Sequence, residues 1–328
     1  MQPTASDVHV SVPLTNISIA YVQGADAFVA DKVFPNIPVE KQADRYWTYD
    51  RGYFWRDEME ARAPATESTG SGYALDNTPN YFCTTYAFHH DVPDEVRANT
   101  DDPLNPDRDA AILMTQKAMI KRERTWVAKY FVLDIWGTDV DGVDSGPTTG
   151  QALRWNNPSS NPIQDVRVAV TTMLQNTGLK PNVIVMGRQV WDALIDHPDI
   201  VDRIKYGQTA PGTAVTTAQV LGTLFGVDKL LVMSAVYNSA HEGAANAFSF
   251  IGGKHMLLAY AAPTPGLMTP TAGYTFSWRG FLGSTSMGWR IKRFRMEHIN
   301  SDRVEIDMSY DQKLVATDLG YFFNTIVA

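Results

Sequence analysis

Any chemistry done by this chain would have to come from a few small groups of polar residues. The closest histidine group is His89-His90-Asp91. Because neighbouring residues of an extended strand point to opposite faces, these two imidazoles could not easily bind one metal ion. Signatures of a phosphate-binding loop, a dinucleotide fold, a hydrolase elbow and a zinc protease are each incomplete in the sequence. We therefore predict no catalytic residue, no metal ion and no cofactor.

A second group consists of carboxylates that follow an aromatic stretch. Its members are Asp57, Glu58, Glu60 and Glu67. Paired carboxylates can act as general acid and general base. Because the sequence that follows is small, polar and Gly-rich, we expect an exposed charged surface, either solvated or facing another subunit.

The densest basic group lies near the carboxyl terminus. Its members are Arg290, Lys292, Arg293 and Arg295. One interpretation is contact with nucleic acid. The favoured interpretation is that these cations complement the acidic group of a neighbouring subunit, since opposite charges set the register between protomers.

Composition narrows the class of protein. The chain has 328 residues, 44% of them hydrophobic, which predicts two or more packed units. No stretch approaches the roughly 20 apolar residues that span a bilayer, so we expect no membrane association. The formal net charge of −8 argues against a dedicated DNA-binding protein but not against one that encloses DNA. The single cysteine, Cys83, fits a reducing cytoplasm and is expected to be a buried structural thiol.

The elements that would position these groups begin with an aromatic hairpin. Aromatic residues occur on two limbs that flank a Gly/Ser-rich tip near residues 62–72. They are Tyr46, Trp47, Tyr49, Tyr53, Phe54 and Trp55 on the first limb and Tyr81, Phe82, Tyr86 and Phe88 on the second. Two β-rich limbs with a polar tip predict a long hairpin. A hairpin of this length is marginal alone and needs a surface, on its own domain or on a neighbour.

A long helix is predicted next, from about Asn105 to Trp136. Asn105-Pro106 supplies an N-cap and a proline at the first helical position. The predicted core stripe consists of Leu113, Ile120, Val127 and Phe131, widened by Ile112, Met119 and Trp126. The charged residues between them, including Arg122 and Glu123, are assigned to the outer face. An acidic, Gly-rich solvated turn is expected over residues 139–146.

Alternating helices and strands over roughly residues 160–290 predict a mixed α/β unit. Helices are expected at 161–178, 189–196 and 218–225, and strands at 182–186, 230–233, 247–251 and 255–260. The end of the chain is β-rich. A strand at 289–299 with a bulge near Lys292 is followed by strands at 303–308 and 314–322. The fold class is α+β.

This order of elements resembles the major capsid proteins of tailed bacteriophages, with the Hong Kong 97-type fold, closest to the branch of the phage lambda major head protein. The resemblance rests on Phe28–Pro35, the hairpin at 45–90, the helix at 106–136, and the runs Val183–Trp191, Phe225–Val232 and Phe248–Gly253. It implies five segments. They are an N-terminal arm (1–40), an extended β-hairpin loop with flanking strands (41–92), a peripheral domain with a spine helix (93–160), an axial domain (161–290) and C-terminal strands returning to the peripheral domain (291–328).

The resemblance also implies a function. The chain would be a virion component that self-assembles in the host cytoplasm, through pentamers and hexamers, into an icosahedral shell around double-stranded DNA without binding it specifically. A separate scaffolding protein and a decoration protein are implied partners. The expected intersubunit contacts are Tyr46, Trp47, Tyr53, Phe54, Trp55, Asp57, Glu58, Glu60, Arg290, Lys292, Arg293 and Arg295.

Two alternatives stay open at this point. An encapsulin-type bacterial compartment shares the fold and would enclose a protein cargo. A two-domain cytoplasmic enzyme without a recognisable motif is the alternative from another class.

Overall fold

The computed structural model describes residues 22–101, 104–207, 218–266, 268–282 and 288–328. Residues 1–21 of the predicted N-terminal arm lie outside these ranges. The α-helices of the described part are α1 (Ala30–Val33), α2 (Arg51–Phe54), α3 (Asp94–Ala98), α4 (Pro106–Tyr130), α5 (Pro162–Thr177), α6 (Arg188–Ile195), α7 (Pro198–Gly207), α8 (Ala218–Phe225) and α9 (Arg279–Leu282). None of the described helices has the length and apolar character needed to cross a membrane.

Short and long strands alternate along the described chain. They are β1 (Asn36–Val39), β2 (Ala43–Arg45), β3 (Thr48–Tyr49), β4 (Leu75–Asp76), β5 (Asn80–Phe82), β6 (Thr84–Pro93), β7 (Thr138–Val143), β8 (Gln151–Leu153), β9 (Val183–Gly187), β10 (Lys229–Met233), β11 (Val236–Asn238), β12 (Phe248–Phe250), β13 (Met256–Ala259), β14 (Gly273–Trp278), β15 (Trp289–Met296), β16 (Ser301–Leu314) and β17 (Gly320–Asn324).

A five-stranded sheet is built around β16, the longest strand described. Its order is β1-β14-β16-β15, and β6 also pairs with β16, antiparallel over ten residues. One face of β16 is apolar, with Val304, Ile306 and Met308 buried against α4. Successive side chains of a strand point to opposite faces. The residues that alternate with these three therefore form a second, polar face of β16.

A six-stranded sheet forms the centre of the second unit, in the order β10-β9-β13-β17-β7-β8. Every residue of β9 is buried, because both faces of this strand are covered. Ile184 and Met186 face one apolar core with residues of helices α5 to α8, whereas Val183 and Val185 face a second core with α4 and the arm. A fully apolar strand is the pattern expected when a sheet is covered on both sides.

The cap signals of the two long helices are confirmed. The Asn105 side chain accepts a hydrogen bond from the backbone N–H of Arg108 at 3.1 Å, and Asn161 does the same for Gln164. The long helix ends at Tyr130, earlier than the predicted Trp136, because the chain leaves helical geometry at Phe131. The buried structural role of Cys83 is also confirmed, since its side chain is fully enclosed.

The predicted core stripe of α4 is wrong at its amino-terminal end. Leu113 is 41% exposed and Ile112 is 39% exposed. The buried face runs through every fourth residue, namely Ala110, Met114, Ala118, Arg122, Trp126 and Tyr130. Small residues at 110 and 118 let the helix lie close to the sheet, and Arg122 is buried because it has partners there.

Three further expectations need correction. Residues 138–143 form strand β7, parallel to β17, and not a solvated turn. The pairing of β15 with β16 keeps one register from Trp289 to Met296, so the described strand has no bulge at Lys292. The segment 314–322 is interrupted by a 3-10 turn at Thr317–Leu319, which carries the chain from one sheet to the other.

Each of the two sheets contains strands from more than one of the five predicted segments. Strands β7 and β8, from segment 93–160, lie in the six-stranded sheet together with β17 from the C-terminal segment. Strand β14 starts within the segment 161–290 but pairs with β1 and β16 in the other sheet. The chain therefore passes between the two sheets several times, which ties them together.

Candidate functional site

The predicted hairpin is present but is paired only near its base. Strand β2 pairs with β5 and β3 pairs with β4, both antiparallel. Helix α2 follows, with the Asp50 side chain accepting a hydrogen bond from the backbone N–H of Gly52 at 2.9 Å. Residues 55–74 form no strand or helix and are almost all exposed. A long segment of this kind extends from the chain and offers its own surface for contacts.

Aromatic residues divide between the base and the middle of the hairpin. At the base, the Tyr81 ring stacks on Phe276 with 4.5 Å between ring centroids, and Tyr46 stacks on the same ring at 5.6 Å. In the middle, Phe54 stacks on Tyr73 at 5.9 Å. The first group packs the hairpin on β14 of its own sheet. The second group packs only within the hairpin and keeps exposed edges.

The first half of the hairpin also contacts the second unit of its own chain. The Arg51 guanidinium forms an ion pair with Asp318 at 2.7 Å. The Trp55 ring lies over Gly178, the left-handed C-cap of α5, where an added Cβ would stand 3.2 Å from the indole. Trp55 nevertheless remains 54% exposed and Trp47 is 63% exposed. The part of the hairpin beyond Trp55 extends free of these contacts.

The acidic residues predicted for this surface lie on that outer part. Asp57 and Glu60 are exposed, and Glu58 is half-buried beside Arg56, with 3.8 Å between the charged atoms. The Arg56 guanidinium in turn lies over the Tyr53 ring at 4.9 Å. These carboxylates are therefore accessible on the single chain, and whether they face another subunit stays a prediction.

Strand β15 carries the basic group at 290–295. This group does not form a region of excess positive charge. Each of its cations meets carboxylates of the same chain. The ion pairs are Arg290–Asp307 (3.1 Å), Lys292–Glu305 (2.8 Å), Lys292–Asp307 (2.9 Å), Arg293–Asp302, Arg293–Asp107 (3.4 Å), Arg295–Asp94 (2.6 Å), Arg295–Glu297 (3.6 Å) and Arg295–Asp302 (3.7 Å). We call these residues the charge ladder. The predicted contact of these cations with the acidic group of a neighbouring subunit stays a prediction.

The ladder shifts the ionisation of its members in the direction expected for paired charges. Hydrogen bonds from Arg293 and Arg295 lower the pKa of Asp302 and of Asp94, respectively. Burial alone would raise the pKa of Asp307, but hydrogen bonds from Lys292 and Arg290 outweigh it and lower the pKa. Asp94, Asp302 and Asp307 are thus held in their charged form beside the cations of β15.

Sequence reasoning missed a buried polar cluster on α4. Glu123 is 1% exposed, and its carboxylate accepts hydrogen bonds from the backbone N–H groups of Val29 (3.0 Å) and Ala30 (2.9 Å). Arg122 pairs with Asp31 at 2.7 Å. These contacts fix the arm at α1 on the long helix. The run of four charged residues at 121–124 gave no sign that two of them face inward.

One buried pair resembles part of a catalytic triad but is arranged for a structural role. Ser160 Oγ lies 3.0 Å from His197 Nε2. The His197 Nδ1 atom accepts from the backbone N–H of Asp199, so Nε2 carries the proton and donates to Ser160. The Ser160 hydroxyl donates to the carbonyl of Asn157 at 2.7 Å. An imidazole that is already protonated at this atom cannot take a proton from the serine.

The described residues contain no cluster of three or more possible metal ligands. His89 and His90 lie on opposite faces of β6, where His90 pairs across to Val304. Asp91 is committed to Arg303 through two hydrogen bonds of 2.7 and 2.9 Å. Asp91 is therefore engaged in an ion pair across the sheet, while the two imidazoles point to opposite faces of β6.

Comparison with known proteins agrees with this picture. Residues 147–257 match the family described as phage major capsid protein E. The major capsid protein of Pseudomonas phage JBD67 is 26% identical over 322 residues, covering 96% of both chains. The major capsid protein of Burkholderia phage BcepMu is 23% identical, covering 95% of both chains. The similarity to both relatives thus extends over nearly the whole length of each chain.

Solved structures show the same fold at low sequence identity. A phage-related protein from Bordetella bronchiseptica has a TM-score of 0.68 at 19% identity, over 93% of this chain and 94% of that one. The capsid of cyanophage P-SCSP1u has a TM-score of 0.60 at 9% identity, over 99% of this chain and 95% of that one. The SrpI encapsulin of Synechococcus elongatus has a TM-score of 0.56 at 12% identity, over 95% and 93%.

The fold alone is shared by phage capsids and an encapsulin, so the fold does not separate the two. The sequence matches favour the phage capsids, because the family model and both relatives are described as major capsid proteins of phages. The resemblance stated from the sequence is therefore confirmed: this chain is similar to phage major capsid proteins over nearly its whole length, and its fold is that of phage capsid structures, the Hong Kong 97-type fold.

Proposed function

We propose that this subunit assembles with copies of itself, through pentamers and hexamers, into an icosahedral shell that encloses double-stranded DNA in the virion. The observation that carries the proposal is the hairpin, whose outer part leaves the body of the chain and exposes large apolar side chains. Met59 is 95% exposed and Tyr73 is 64% exposed. A monomer gains nothing from such residues in water, whereas a neighbour that covers them gains about 25 cal/mol for each Å² of apolar surface.

The contact we propose is between the outer hairpin and the next subunit. Trp47, Phe54 and Trp55 would supply the apolar area, and Asp57, Glu58 and Glu60 would lie at its polar rim. Repetition of a modest contact around a closed shell makes the whole assembly stable, since every subunit is held by several neighbours at once. Assembly in the host cytoplasm, a separate scaffolding protein and a decoration protein are parts of the same proposal.

We also propose that the chain catalyses no reaction. The Ser160–His197 pair supports this, because its hydrogen bonds point away from proton transfer. An encapsulin-type compartment is the second candidate, and it rests on the shared fold with the SrpI encapsulin. The two candidates differ in what the particle encloses, namely DNA or a protein cargo.

The test removes residues 67–72 from the tip, stopping short of Tyr73 so that the aromatic cluster around it stays intact. We expect a folded subunit that fails to form shells under conditions in which the unaltered chain forms them, as seen by electron microscopy. A matched control replaces the same six residues with a Gly/Ser stretch of equal length. Normal shells from the deletion would refute the role of the hairpin in assembly.

A further inference from the structure

The outer face of α4 carries a line of cations that is separate from the charge ladder. Lys117, Lys121 and Arg124 are all exposed and recur at helical spacing, so they share one face. At a rise of about 1.5 Å for each residue, they extend over about 10 Å. We call these three residues the helix stripe.

The helix stripe is less closely matched by carboxylates than the charge ladder, although Lys117 interacts electrostatically with the Glu242 carboxylate. Across the described ranges, no carboxylate lies within ion-pair distance of any of its three cations, whereas all four cations of the charge ladder are paired. The chain as a whole has a formal net charge of −8. A cationic line of this kind on an acidic protein marks a place where a polyanion can approach.

Aromatic rings hold two of these cations in place. The Arg124 guanidinium lies over the Tyr237 ring at 4.2 Å, and Lys121 Nζ lies over Tyr86 at 5.1 Å. Behind them, Trp126 is fully buried and fixes the helix on the core. The stripe is thus a rigid surface on a convex helix face. Such a surface can contact phosphates but does not reach the edges of bases.

We propose that the helix stripe faces the enclosed genome and contacts phosphates of double-stranded DNA without regard to sequence. The inference rests on the proposed function and deepens it, because it states which face of the subunit meets DNA. Three phosphate contacts for each subunit are weak alone. Repeated over every subunit of a shell, they would hold the outer layer of DNA without trapping it.

The experiment measures binding of unassembled full-length subunits to a fluorescent DNA duplex of about 20 base pairs, by anisotropy at several salt concentrations. Three contacts predict a slope of about −2.7 in log K against log salt, or about 40-fold weaker binding between about 50 and 200 mM salt. The variant Lys117→Gln, Lys121→Gln, Arg124→Gln is expected to bind at least about tenfold more weakly at the lower salt and to lose the slope.

A matched control removes three other exposed cations, by Arg167→Gln, Lys180→Gln and Lys229→Gln. It makes the same change in net charge and is expected to bind DNA like the unaltered chain. Equal losses in both variants would mean that bulk charge matters and would overturn the inference, as would a lack of duplex binding by the unaltered chain. Displacement of the duplex by a peptide of residues 55–73 would also overturn it, in favour of the acidic hairpin of a second subunit.

Shell formation by the same proteins, seen by electron microscopy, reports on the proposed function separately. If shells form but the stripe variant binds DNA normally, the inference alone fails. If the unaltered chain forms no shells, the proposed function fails, while the duplex measurement on free subunits still decides the role of the stripe.

Discussion

The replacement Glu123→Gln tests the buried cluster that joins the arm to the long helix. Burial raises the pKa of the Glu123 carboxyl from 4.5 to about 7, and the nearby Asp31 acts in the same direction, while the two backbone N–H bonds and Lys32 oppose it. Arg122, packed against the Tyr310 and Trp289 rings, is engaged with Asp31 on the other side. Glu123 is therefore protonated in the folded chain at a pH where it is ionised in the unfolded chain.

The sign of the pH effect follows from this difference. Between pH 4.5 and about 7 the folded state binds more protons at this site than the unfolded state, so the free energy of unfolding falls as the pH rises. A difference of about 2.5 pKa units corresponds to a contribution of about 3 kcal/mol to the free energy of unfolding. This contribution is present at low pH and is fully lost above pH 7. Glutamine has nearly the shape of the protonated acid and does not titrate. The Glu123→Gln variant should therefore lack this part of the pH dependence of the unfolding free energy.

The assay is denaturant unfolding of the unassembled subunit, followed by tryptophan fluorescence at several pH values from about 5 to about 8. We expect the difference in unfolding free energy between Glu123→Gln and the unaltered chain to shift by about 2–3 kcal/mol in favour of glutamine across this range. Any fixed cost of placing an amide N–H₂ near Val29 is the same at every pH and cancels. The exposed Glu95→Gln serves as control, and parallel pH curves for all three proteins would refute the reasoning.

Two further predictions concern single buried side chains. The Phe34 ring is fully buried, with centroids 5.6 Å from Trp126 and 4.9 Å from Tyr130, so Phe34→Ala should lower the unfolding free energy by about 3–5 kcal/mol; a loss below about 1 kcal/mol in denaturant unfolding would contradict this packing. Burial raises the pKa of the Cys83 thiol to about 12, so a thiol reagent at neutral pH should label it only after denaturant is added. Rapid labelling of the folded subunit would show that the hairpin base opens readily.

Local sequence signals predicted much of the secondary structure. The Asn-Pro pairs at 105–106 and 161–162 marked both long helices, because an N-cap side chain and a proline at the first position act within a few residues. The apolar run before Gly187 was recognised as a buried strand for a similar reason. Such signals depend on neighbours along the chain, so one sequence is enough to read them.

Burial on the long helix could not be predicted in the same way. Leu113 has the type of a core residue and Arg122 has the type of a surface residue, yet their positions are reversed. Arg122 is buried because it has partners that lie far from it along the chain. Asp31 of the arm and the Tyr310 ring of β16 meet the helix at Arg122, from distances of 91 and 188 residues along the chain. Hydrophobicity alone does not reveal which distant segment will satisfy a charge.

The pairing of the charge ladder also depends on distant register. Lys292 faces Glu305 and Arg290 faces Asp307 because β15 and β16 pair antiparallel with those residues opposite each other. Removing one residue from the intervening turn would change every pair. From the sequence alone, the basic residues stood out because their acidic partners on β16 are separated from one another by apolar residues.

The pairing of the charge ladder within one chain bears on the proposed contact between subunits. An acidic hairpin placed on cations that already have carboxylate partners gains little Coulomb energy, and at physiological salt the remaining field is screened within about 8 Å. The exposed rings of Trp47, Phe54 and Trp55 have no such competitor. Burying one large apolar side chain contributes about 1.5–3 kcal/mol, so two or three of them exceed what an exposed ion pair provides. Attraction between subunits should therefore come mainly from the aromatic residues of the hairpin, with its carboxylates selecting the register.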